Sequence, residues 1–295
     1  MKKTLCMLLC AALLMTLLLS GCGKEKAKDP VDLLCGAGAE AVAVDSGKMT
    51  LGLELNVDLT QGDQSTSMDF KLDGTVQAAS LQFGSPVAAA SLDVELPALL
   101  TMATGLDKNM TLAAYVQDGV IYVDLGGTKE KVALSEDDLT QLQDMFRQSS
   151  STNEEEQRKF AETLVNEIAE DSKVEVLKGS KQELTLQLSG DKLLEKLKQA
   201  ISSGDVALPE ELDADTVLNA LTQYAITLEQ PTLVMTFAKD GSLSSLQMDV
   251  KANANVEGMQ IAVAFTLHYA LADVNGTTVT LPDDLASYPD ADLAA

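Results

Sequence analysis

The chain of 295 residues is long enough for one large or two small domains, and an apolar content of 46% supplies ample core. A formal charge of -24 argues against nucleic acid as a partner and against a peripheral electrostatic grip on anionic lipid. No Gly-x-Ser-x-Gly, Gly-x-x-x-x-Gly-Lys or His-Glu-x-x-His motif occurs, and the chain has a single histidine, so the expectation is a protein that is not an enzyme and needs no cofactor.

The first element reads as an export leader. Lys2 and Lys3 precede an apolar run from Leu5 to Leu19, too short for a spanning helix, and Ser20 and Gly21 lead into Cys22. Leu19-Ser20-Gly21-Cys22 resembles the bacterial lipobox. That resemblance implies cleavage between Gly21 and Cys22, a diacylglyceryl group on the Cys22 thiol, and residence at the extracytoplasmic face of the cell membrane. Two acyl chains hold where one does not, at ~0.8 kcal/mol per buried methylene. Loss of the leader removes two lysines and no acid, so -24 becomes -26. Cys6 and Cys10 leave with it, so the mature chain can form no internal disulfide, and Cys35 is its only free thiol. Residues 22–29 form a tether whose seven residues from Gly23 to Asp29 reach at most ~25 Å.

Asp29-Pro30 is a helix start, and Val31, Leu34, Cys35, Ala41 and Val42 continue at helical spacing over 30–43, with Cys35 on the apolar face. From Met49 the period changes to two. Leu51 to Leu59 alternate, then Met68, Phe70 and Leu72, with further strands expected at 77–83, 89–96 and 110–116. Tyr115 to Val123 is a hairpin turning at Asp118-Gly119, and 129–134 ends this half. Ser135 and Asp138 resemble a capping box before a helix through Phe146, and Glu154 to Glu156 open a second helix carrying Phe160, Leu164, Val165 and Ile168. Strands at 173–177 and 183–188, a helix over 190–203 and a short helix around Val217 to Tyr224 follow. The closing meander alternates at Leu233, Met235 and Phe237, at Leu246, Met248 and Val250, and at Ile261 to Leu271. Turns fall at Asp240-Gly241, Glu257-Gly258 and Asn275-Gly276, with a last strand at 279–281.

These elements predict an α+β fold, a long curved antiparallel sheet in an unclosed half-barrel packed on amphipathic helices, as one domain over 30–295; a division near 150–172 is the alternative. His268 falls on the polar face of its strand. Asp283, Asp284 and Asp290 to Asp292 carry oxygen ligands without EF-hand spacing, and no metal site is expected.

Asp29-Pro30, the Tyr115 to Val123 hairpin, Ala238-Lys239-Asp240-Gly241 ahead of two long strands, and Asn275 followed by Leu281-Pro282 resemble the LolA/LppX/LprG-like lipoproteins, and among them the uncharacterised members of Gram-positive bacteria. The resemblance implies an apolar cavity between sheet and helices, used by characterised members to hold acyl chains. The candidates for its lining are Met68, Phe70, Met235, Phe237, Met248 and Phe265, core packing being the default use of each. The expected partners are the membrane, through a lipid anchor, and a lipid or other apolar ligand. The competing reading is a surface scaffold that engages a protein partner through its outer face.

Overall fold

The computed structural model describes residues 29–39, 45–80, 86–135, 154–178, 181–204 and 213–291. The leader, Cys22, the expected helix through Phe146 and Asp292 lie outside these residues. Eleven strands form one sheet: β1 Gly47–Gln61, β2 Gln64–Ala79, β3 Val87–Glu95, β4 Asn109–Gln117, β5 Val120–Leu125, β6 Thr128–Ala133, β7 Ala169–Val176, β8 Gln182–Leu188, β9 Thr227–Phe237, β10 Leu243–Val256 and β11 Met259–Ala272. Among the described residues five α-helices accompany it: α1 Pro30–Ala39, α2 Ala98–Thr104, α3 Glu154–Glu162, α4 Gly190–Ser203 and α5 Ala214–Gln223.

The strand order is β6-β5-β4-β3-β2-β1-β11-β10-β9-β8-β7. The chain therefore starts in the middle of the sheet, walks outward to β6, crosses to the opposite edge at β7 and walks back to the middle. Every neighbouring pair is antiparallel, and only the β1–β11 seam joins strands that are not consecutive in sequence. β6 and β7 do not pair, so the sheet is an unclosed, half-barrel-like α+β structure.

Strand periodicity sorts the side chains onto two faces, because directly opposed residues point the same way. Leu53 opposes Leu72 on β2 and Leu267 on β11, Leu55 opposes Phe70 and Phe265, and Val57 opposes Met68 and Val263. β10 continues these rows with Met248 opposite Leu267 and Val250 opposite Phe265. The other face carries Glu54, Asn56, Asp58, Lys71, Asp73 and Asp249. The apolar face is the inner one, because the helices pack there. Leu33 of α1 and Leu164 and Ile168, in a wider π-helical continuation of α3, close on Met49, Leu184, Leu186, Leu188, Met235, Phe237, Leu243 and Tyr269. Burial pushes the Tyr269 hydroxyl up to about 12.

The helix signals act as their chemistry requires. Asp29 Oδ1 accepts from the Val31 amide at 2.9 Å, and Asp213 Oδ1 accepts from the Thr216 amide at 2.8 Å, each meeting a free donor of a first turn. α4 ends as expected at Gly204, in the left-handed conformation with φ 79°. α4 begins against β9, and a Cβ on Gly190 would stand 1.9 Å from the Leu228 carbonyl oxygen. Pro231, which has no amide hydrogen to give, falls where the β9–β10 register slips between Asp249 and Lys251.

Several expected elements differ. Gln77 to Ala79 are the end of β2 rather than a separate strand. α2 has no counterpart among the expected elements, because the seven residues ALLTMAT carry only Thr101 and Thr104 as polar positions and are too short to show a helical period. No strand forms at 279–281. That stretch leads to a 3-10 turn, Leu285–Ser287, and then to the free edge of β6. There the Lys131 amide donates to the Pro289 carbonyl and the Ala291 amide to the Lys131 carbonyl, both at 2.8 Å. The Tyr288 ring stands edge-on to Tyr122 at 5.7 Å, with the Lys129 ammonium 5.0 Å from its centre.

Candidate functional site

Among the described residues, the helices pack over one end of the inner face. Their core holds Met49, Tyr269 and Phe237, while β1 and β2 run on to a turn at Gly62-Asp63, and β10 and β11 to a turn at Glu257-Gly258. Along that extension the apolar rows are only half-buried: Leu72, Leu53, Leu267 and Met248; then Phe70, Leu55, Phe265 and Val250; then Met68, Val57, Val263 and Ala252. Val94 and Met110 extend the first row through β3 and β4.

The six lining candidates are thus divided. Met235 and Phe237 are shut inside the core beneath the helices. Met68, Phe70, Met248 and Phe265 lie on the half-buried extension, where Phe70 and Phe265 flank Leu55 from either side. The period identifies the face of all six, and the placement of the described helices decides which of them are fully buried.

No charged residue lies on the inner face of the four central strands, from Leu51 to Leu59, Met68 to Val76, Leu246 to Ala254 and Ile261 to Leu271. In a chain with 45 acidic residues that absence sets the chemistry of the surface. It offers dispersion contact and exclusion of water. Leu51 to Leu59 span about 26 Å at ~3.3 Å per residue, against about 15 Å for one leaflet of a bilayer core.

A family model described as "Family of unknown function (DUF6612)" matches residues 31–287. The chain belongs to that family. No curated protein matches the sequence. Solved structures to which the chain is similar include lipoprotein LppX of Mycobacterium tuberculosis, 12% identical over 80% of this chain and 90% of that one, with a TM-score of 0.26. The ywiB protein of Bacillus subtilis is 9% identical over 78% and 94%, with a TM-score of 0.17. A putative outer membrane lipoprotein-sorting protein domain from Vibrio parahaemolyticus is 10% identical over 82% and 90%, also at 0.17.

Shallow polar hollows lie on the outer face of the DUF6612 sheet. One, of about 360 Å³, opens where Gly52 lacks a side chain, among Thr50, Asp73, Thr75, Asp93 and His268. His268 is exposed there, as the strand alternation requires, and Asp93 accepts from the Thr111 hydroxyl at 2.7 Å. Another, of about 400 Å³, lies near the β10–β11 turn among Asp58, Thr60, Asn253, Asn255 and Gln260. Among the described residues no group of His, Cys, Asp and Glu is placed to hold a metal ion. Asp284 is engaged by Lys129 at 2.6 Å, which holds its carboxyl below the usual range, and Asp290 faces Lys131 at 3.8 Å. Burial pushes the Cys35 thiol up, against the opposing pull of Arg158.

Proposed function

We propose that this protein is a membrane-anchored extracytoplasmic lipoprotein, non-catalytic, that holds a lipid or other apolar ligand against the open inner face of its sheet. The observation that carries the reading is the uncharged, half-buried surface of β2, β1, β11 and β10 beyond the helices. A contiguous apolar surface of that extent on an acidic protein is stable only if something covers it. Met68, Phe70, Met248 and Phe265 are its contact residues, while Met235 and Phe237 form its closed end. The resemblance to the LolA/LppX/LprG-like lipoproteins, including their Gram-positive members, agrees with this use of the face.

The lipobox-like ending of the leader supplies the anchor, with residues 1–21 removed, Cys22 acylated, 22–29 as tether and 30–295 as one body. The β1–β11 seam, which joins the two ends of that body, supports its reading as a unit. Intact mass of the protein extracted from membranes is expected to match a chain beginning at Cys22 plus a diacylglyceryl group. An unmodified or uncleaved chain rules the anchor out.

Ligand holding is tested separately on protein that starts at Gly23 and so carries no lipid of its own. Organic extraction followed by mass spectrometry is expected to recover lipid with the native sequence, and several-fold less with Phe70→Asp plus Phe265→Asp. Those aspartates would flank Leu55 and place charge in the middle of the apolar rows. A native sequence that yields no lipid, or a double variant that yields as much, overturns the reading.

A further inference from the structure

α2 and the residues after it expose a second apolar surface, separate from the inner face. Leu99, Leu100, Met102 and Leu106 are 62, 46, 86 and 49% exposed, and no charged residue occurs from Leu96 to Leu106. Single exposed apolar side chains are ordinary, but a cluster of this size within one short connection is not.

The local bonding shows what surroundings the segment suits. The Thr101 hydroxyl donates to the Ala98 carbonyl at 2.8 Å and the Thr104 hydroxyl to the Leu100 carbonyl at 2.7 Å, so both polar side chains turn back onto the helix. The Gly105 amide, in the left-handed conformation at φ 72°, closes the last turn onto Thr101. The base is a charged, closed neck, in which the Leu96 amide donates to the Lys108 carbonyl at 2.8 Å and the Glu95 carboxylate pairs with the Lys108 ammonium at 2.9 Å. The apolar tip, with both threonine hydroxyls turned back onto the helix, suits an apolar surrounding, and the polar neck of Glu95, Asp107 and Lys108 suits the head-group zone of a bilayer.

We infer that α2 is a membrane-inserting finger, with Leu99, Leu100, Met102 and Leu106 entering the acyl region and Lys108 and Glu95 at the head groups. A bilayer is favoured over a second copy of the chain, because two bodies of charge -24 repel one another while neutral lipid does not repel either. The finger concerns a different surface from the proposed lipid-holding face, and neither depends on the other.

The chain contains no tryptophan, so Met102→Trp gives a single reporter at the most exposed of the four positions. Val176→Trp, at a site 75% exposed on β7, is the matched control. The full chain is reconstituted in phosphatidylcholine vesicles, with and without acyl-chain-brominated lipid. The expected result is blue-shifted Met102→Trp emission quenched several-fold by brominated lipid, with Val176→Trp unshifted and unquenched. Water-like emission at both sites overturns the inference. So does a blue shift without quenching, which means that protein covers the tip, and so does equal quenching of both reporters.

Discussion

Gly190→Ala is expected to destabilise the protein by about 3 kcal/mol or more, at the upper end of what overpacking costs. The cause is contact rather than conformation. The new Cβ would lie 1.9 Å from the Leu228 carbonyl oxygen and 2.7 Å from its carbon, both backbone atoms that cannot rotate away. Either β9 or the start of α4 must shift. Moving α4 strains the Ser189 amide's 2.9 Å bond to the Ile168 carbonyl and lifts Leu193 off the core. Urea unfolding reads the loss as a lower midpoint at unchanged slope. Gly126→Ala is the control, because Gly126 has φ 61° but open space around it, so its cost is backbone strain alone, about 1 kcal/mol. Equal midpoints for the two variants would refute the close approach of α4 to β9.

Phe237→Ala is expected to cost about 4 kcal/mol, and Phe265→Ala about 1 to 2 kcal/mol. The two positions share a residue type and an inner-face orientation and differ in cover. Phe237 is fully buried, opposite Gln182 and Leu243 at the end of β9, among residues that cannot collapse into the space it leaves. Phe265 is half-buried beyond the helices, where water already reaches the ring. Denaturant midpoints of the two variants therefore measure how far the helices close the sheet. Similar losses at both positions would mean that the inner face is closed along its whole length, which would remove the basis of the proposed lipid contact.

The long strands are legible in the sequence because each has one buried face. Leu51 to Leu59 and Ile261 to Leu271 keep strict alternation, and Asp118-Gly119 and Glu257-Gly258 mark turns, with φ of 52° and 74° and of 53° and 87°. α4 is equally plain, because its apolar stripe and terminal Gly204 agree. α2 is not, since seven residues with only Thr101 and Thr104 polar are too few to show a period, and its Leu99, Leu100 and Met102 are exposed in the fold. The strap from Thr277 to Ala291 is hidden too, being mostly coil. The sequence hint was Tyr115 and Tyr122 opposed on an otherwise polar face, rings that call for a cover such as Tyr288. For the candidate site, alternation identified the inward face, but not the strand order or the end at which the helices stop. Those depend on contacts between residues more than two hundred positions apart, such as Lys48 with Ala272.

That central seam also governs how the chain is made. β1 is among the earliest strands to emerge and β11 is the last, so through most of synthesis or export β1 has β2 on one side and a bare edge on the other. Folding cannot finish until the far end of the chain arrives, a high-contact-order closure expected to be slow. A chain truncated before Met259 would keep the β1 edge open permanently, a ready template for pairing with the β11 of another copy.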